Sequence, residues 1–102
     1  MKIDEQLLHG HNDSVYCVAL RSNGHVASGG EGRSIIIHST SSNKIKYRAD
    51  NVFANGFANG VKGLCYLPNG SGLVACGHGE DEGRGPNLKV LSPSLELVQT
   101  LV

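Results

Sequence analysis

Apolar residues come in short blocks such as VYCVAL at 15–20, IIIH at 35–38 and LKVL at 88–91, each closed by Gly, Asn, Ser or Pro. None follows the 3.6-residue spacing of an amphipathic helix, and short blocks with turn residues between them are the strand-and-turn pattern. The pattern predicts nine short strands: 5–8, 14–20, 25–29, 34–39 and 44–48, then 61–67, 73–77, 88–92 and 96–101. The fold class is all-β.

The alternation within each block says how its strand is covered. Along 15–20 and 35–37 both faces are apolar, so these strands are expected to be covered on two sides. Lys44-Ile45-Lys46-Tyr47-Arg48 alternates charge with apolar groups, as a solvent-edge strand does when it is blunted against aggregation. Asn23-Gly24 and Asn69-Gly70 each supply a pair that takes positive φ cheaply, and each is expected to close a hairpin.

The two Asn-Gly turns also lie at matching places in a repeat. Residues 15–20 align with 61–66 at an offset of 46, and Asn23-Gly24 aligns with Asn69-Gly70 at the same offset. Beyond the hairpin, Ser71-Gly72 lengthens the turn, so that Val26-Ala27-Ser28-Gly29 matches Val74-Ala75-Cys76-Gly77 at 48. After the insertion 79–86, residues 88–92 match 35–39 at 53. Each unit reads as a four-stranded antiparallel meander.

Gly10-His11, the strand at 14–20, the turn Ser22-Asn23-Gly24, the strand Val26-Ala27-Ser28-Gly29-Gly30 and the strand around Ile35-Ile36-Ile37 follow one another in the order of a WD repeat. In this the chain resembles the WD-repeat β-propeller family. The resemblance implies two four-stranded propeller-type blades, at about 10–49 and 61–102, joined by a linker at about 50–60. A strand at 5–8 would belong to the outer edge of a preceding blade, and the whole would be a partial propeller with an incomplete ring.

The family's buried tetrad joins a loop His, a second-strand Ser or Thr, a turn Asp and a third-strand Trp, and only His11 and Ser28 match it here. Gly32 holds the Asp place, and His38-Ser39 stands for Trp-Asp. In the second unit Gly56-Phe57 replaces Gly-His, Cys76 the Ser and Leu91-Ser92 the Trp-Asp, while Glu80 is placed at the Asp. The second blade is degenerate. Most of the competing fold space is a small independent β-sandwich or barrel, since meanders build those too.

Composition narrows the function classes. Nine basic and nine acidic residues cancel, and the basic ones are scattered, so nothing favours nucleic acid. No window approaches the apolar length of a membrane span, and MKIDEQLL lacks a secretory apolar core, so no membrane is implied and an intracellular location, cytoplasmic or nuclear, is expected. Cys17, Cys65 and Cys76 are an odd set in apolar blocks, read as small buried hydrophobes in a reducing compartment.

A zinc site needs four convergent donors at characteristic spacings, and the five histidines and three cysteines offer no such pair. A glycine-rich phosphate cradle is also missing, because no GK[ST] and no following helix accompany Gly77-His78-Gly79. The sequence therefore reads as a non-enzyme without cofactor. As the resemblance implies, it would be a protein-interaction scaffold, with partners unspecified and the ring completed by further blades or by other copies. The loops expected to touch a partner carry Asn12, Asp13, Glu31 and Arg33, and Glu80, Asp81, Glu82 and Arg84. The alternative is a small metal-binding or hydrolytic β domain using His9, His11 and His78.

Overall fold

The computed structural model describes residues 10–11, 14–30, 34–50, 52, 60–78 and 86–101. They form two four-stranded antiparallel sheets, each a simple meander. The first holds β1 (Val15–Leu20), β2 (His25–Gly30), β3 (Ile35–Ser39) and β4 (Lys44–Ala49). The second holds β5 (Val61–Tyr66), β6 (Leu73–His78), β7 (Pro86–Leu91) and β8 (Leu97–Leu101). The expected strand at 5–8 lies outside the described residues, as does most of the linker. Among the described residues no helix is long and apolar enough to cross a membrane.

The two sheets stack face to face, with β5 packed on β1 and β2. Ala27, Ile35 and Ile37 of the first sheet meet Val61, Leu73, Ala75 and Leu91 of the second in one apolar core. β3 is buried along its whole length, as its unbroken isoleucine run requires. β4 is the exposed edge that its alternating charges predict.

β1 departs from expectation. Cys17 and Ala19 pack into the core, but Val18 is 61% and Leu20 76% exposed, so one apolar face of β1 is uncovered. The block has apolar residues on both faces, and the described chain supplies a neighbour to only one. The turns differ in detail too. Asn69 and Gly70 both take positive φ, whereas at the first hairpin only Gly24 does, and Asn23 accepts the His25 amide on its side-chain oxygen at 3.0 Å. Of the cysteines, Cys65 is exposed and Cys17 and Cys76 are half-buried, so the reading of all three as buried fails at Cys65.

Hydrogen-bond register corrects the repeat. Cys17 pairs with Gly29 and Gly63 with Cys76, so the offset of 46 along β1 and β5 becomes 47, not 48, along β2 and β6. The turn between paired residues grows by one net residue, from 21–25 to 67–72. The offset of 53 along β3 and β7 holds. With these offsets the irregularities coincide: β1 shifts register between Val15 and Cys17 where β5 shifts between Val61 and Gly63, and β3 shifts between Ile37 and His38 where β7 shifts between Val90 and Leu91. Shared bulge positions mark the sheets as copies of one structural unit, because a bulge is a specific feature of backbone pairing. Ser28 therefore corresponds to Ala75, and Cys76 to Gly29.

Candidate interaction site

The end of the first sheet at which β1 begins, β2 ends and β3 begins is held by polar side chains. His11 Nε2 lies 2.8 Å from Ser28 Oγ, joining the segment ahead of β1 to the second strand. Ser28 Oγ also donates, at a long 3.5 Å, to the Ile36 carbonyl, and this assigns the His11 Nε2 proton as donor to Ser28. Burial holds the His11 imidazole below its ordinary range. His38 is buried on the same sheet face as Ser28.

A second set of contacts closes the same end. Ser34 Oγ donates to Asp50 Oδ1 at 2.7 Å, and Arg48 Nε reaches the same oxygen at 3.0 Å. These two donors, Ser34 first, hold the Asp50 carboxyl below the ordinary carboxylate range. Arg48 also extends to the Gly10 carbonyl at 3.5 Å, so the two sets share one strap. The sequence reading missed Ser34, Arg48 and Asp50. The signal lay in the hairpin register, since pairing Ile35 with Ala49 sets Ser34 across from Asp50.

Gly10, His11, Ser28 and His38 are thus brought into one corner, with the Gly10 backbone resting against Ile36 and Ile45. Gly32, the position of the tetrad Asp, is outside the described residues. So are all eight loop residues expected to touch a partner: Asn12, Asp13, Glu31, Arg33, Glu80, Asp81, Glu82 and Arg84. The described residues that flank them, His11 and Ser14, Gly30 and Ser34, His78 and Pro86, all stand at the same end of their sheets.

The junction between sheets adds three features. Tyr16 and Lys62 are the extra residues of the two matching bulges, and the Lys62 ammonium sits 4.1 Å from the Tyr16 ring centroid. A cleft of about 220 Å3 is lined by Ala49, Asp50, Val52, Lys89, Leu91, Leu95 and Leu97, and Lys89 Nζ donates to the Val52 carbonyl at 2.6 Å within it. At the other end of the sheets Tyr66 buries its hydroxyl without a hydrogen-bond partner among the described groups, and burial raises its phenol above the ordinary range.

The chemistry these groups offer is structural. The Cys17 thiol contacts the Gly29 and Val61 carbonyls at 3.6 and 3.7 Å, and burial pushes it up, away from the thiolate that a nucleophile needs. Among the described residues no group of three or more His, Cys, Asp or Glu converges to hold a metal. His9 and the His78 side chain are not described.

Paired four-stranded meanders stacked face to face, with a loop His tied to a second-strand Ser, define propeller-type blades. Residues 4–39 match the family model described as WD domain, G-beta repeat, and over that stretch the chain is similar to such a repeat. The match ends with β3. No curated protein matches the chain. WD repeats are generally non-catalytic interaction modules.

Proposed function

We propose that this protein is a non-catalytic scaffold that binds a protein partner through the loops at the His11 end of its blades. The observation that carries the reading is the match to a WD repeat at 4–39, within which the His11–Ser28 bond straps the entry to β1 onto β2, beside a fully buried β3. A rigid sheet end that presents several connections is the arrangement in which loops carry recognition. The residues assigned to contact are Asn12, Asp13, Glu31 and Arg33 in the first unit, and Glu80, Asp81, Glu82 and Arg84 in the second. The location that suits three unpaired thiols is intracellular, cytoplasmic or nuclear.

The test is capture of partners from an extract of the source cells by the full chain. Reversing charge at Glu80, Asp81, Glu82 and Arg84 together, and separately at Asp13, Glu31 and Arg33, is expected to remove bound proteins while circular dichroism stays unchanged. An identical set of captured proteins for both variants overturns the loop assignment. The metal alternative loses support at His11, whose Nε2 is engaged by Ser28. Metal content near one per chain in untagged protein would restore it.

A further inference from the structure

The end of the sheets opposite His11 carries a row of cationic and donor groups. Arg21 follows β1, and its amide donates to the His25 carbonyl at 2.9 Å, one step beyond the Leu20–Val26 pair. His25 pairs with Ser39 and Ser39 with Lys44, so Arg21, His25, Ser39 and Lys44 stand side by side across the four strands. Alternation from Ala19, Ala27 and Ile37, which face the core, turns Arg21, His25 and Ser39 toward the second sheet. The row holds two full cations and no acid.

The second sheet meets this row with Tyr66 and the turn that follows it. Tyr66 ends β5 and packs against the shared core. Gly70 lies under the Arg21 side chain, where an added Cβ would collide with Nε of the guanidinium and with Cγ and Cδ of the stem. Its φ of 66° asks for glycine as well, so the seat for Arg21 is doubly specified. Burial raises the Tyr66 phenol and the Arg21 charge opposes that rise, which places the guanidinium within electrostatic reach of the hydroxyl.

Three hydrogen-bonding groups converge here without acceptors. Tyr66 Oη and His25 Nδ1 are buried with no partner among the described residues. Among the same residues Arg21 makes no ion pair, and the Asp50 carboxylate is taken by Ser34 and Arg48 at the opposite end. Glu96 stands ahead of β8, three strand spacings from β5 and so roughly 14 Å away, beyond a screening length of about 8 Å. An unpaired buried hydroxyl or ring nitrogen is costly, and a native protein has a use for it. The phenol donates, Nδ1 donates in its protonated tautomer, and the guanidinium donates from a planar fork. Donors beside uncompensated positive charge select an anion. A phosphate group offers three terminal oxygens to the three groups, where a carboxylate offers two. Each of the three residues is only half-buried, so the corner they form reaches the surface.

We propose that Arg21, His25 and Tyr66 form a binding site for a phosphate group at this end of the junction between the sheets. Arg21 supplies the charge and a forked pair of donors, Tyr66 Oη and His25 Nδ1 donate to the remaining oxygens, and Lys44 adds attraction from the edge of the row. The site lies at the end opposite the partner loops and does not rest on the scaffold reading.

The probe is inorganic phosphate, titrated into the full chain at an ionic strength held constant with chloride and followed by magnetic resonance of the backbone amides. Shifts are expected at Arg21, His25 and Gly70, and not at His11 or Arg48. Tyr66→Phe removes one oxygen, and Arg21→Met removes the charge while keeping a stem over Gly70. Each is expected to weaken phosphate by about tenfold to a hundredfold, the range for one hydrogen bond to a charged group. Because the Tyr66 hydroxyl has no partner in the protein alone, Tyr66→Phe should not lower the thermal midpoint without phosphate, and lost binding is then separable from lost folding. Chloride shifting the same amides equally, or Tyr66→Phe binding phosphate as the parent does, overturns the site. Shifts confined to Lys44 and Lys46 overturn it too, since exposed cations attract any anion. A second titration with O-phosphoserine separates the sources: tighter binding than inorganic phosphate assigns a phosphoryl group carried on a protein, and weaker binding assigns the free ion. Neither variant touches the loops at the His11 end, so the capture experiment and this one fail independently.

Discussion

At the residue scale, the His11–Ser28 bond joins the segment ahead of β1 to measurable stability. Ser28→Ala leaves a buried strand position without its acceptor for the imidazole, and a net loss of about 1 kcal/mol is expected by denaturant unfolding. The pH dependence has a definite sign. Burial lowers the folded pKa of His11 below its ordinary 6.5, so beneath that pH the unfolded chain binds a proton that the folded chain resists. The contribution is complete above pH 6.5 and is lost as pH falls through that value toward the folded pKa. Unfolding midpoints of His11→Phe, which copies the Gly56-Phe57 of the second unit, should fall less steeply between about pH 6.5 and 5 than those of the parent chain. An equal slope in the two proteins would remove His11 as the source.

At the element scale, two positions expose backbone constraints. Leu95 follows the Ser92 turn with φ of 70° and is nevertheless buried, its side chain lining the cleft between sheets. A branched aliphatic residue in that region is strained, by about 1 kcal/mol or more. Leu95→Gly and Leu95→Ala lose similar packing, but only glycine relieves the strain. Thermal unfolding should therefore find the glycine variant more stable than the alanine one, the reverse of the usual order in regular structure. Gly29 makes the opposite demand, because Val61 occupies the space a Cβ would need. Gly29→Ala is expected to cost about 1 to 3 kcal/mol, and Val61→Ala in the same chain to return part of it, so a double-mutant cycle should show coupling.

These elements also show what the sequence makes legible. The Ile35–Ile37 block has one sensible environment, and the structure buries it. The meander order and the Ser28 bond follow from block spacing and one motif. The offset of 48 for β2 and β6 fails because Val-Ala-x-Gly looks alike in both units, while hairpin register answers to the turn and not to likeness of side chains. The Ser34–Asp50–Arg48 contacts were hidden for the same reason, since no local pattern reports which residue lies across a hairpin.

At the scale of the whole molecule, the three thiols distinguish a junction within one chain from a junction between chains. Cys17 is sealed by Val61 of its own chain, and burial raises its pKa, so its alkylation is expected to be slow at any protein concentration. Cys65 and Cys76 lie on the face of the second sheet that is turned away from the first. A second copy docked there would protect both at high concentration and free them on dilution, because assembly follows mass action. Mass spectrometry after a brief pulse of iodoacetamide at about 1 and 100 μM reads all three at once. Docking of copies would give a concentration-dependent rate at Cys65 and Cys76 beside a constant one at Cys17. Equal rates at both concentrations would show that no second copy covers this face. A change at Cys17 would instead mean that the two sheets part within the chain, and the internal stacking of β5 on β1 would depend on assembly too.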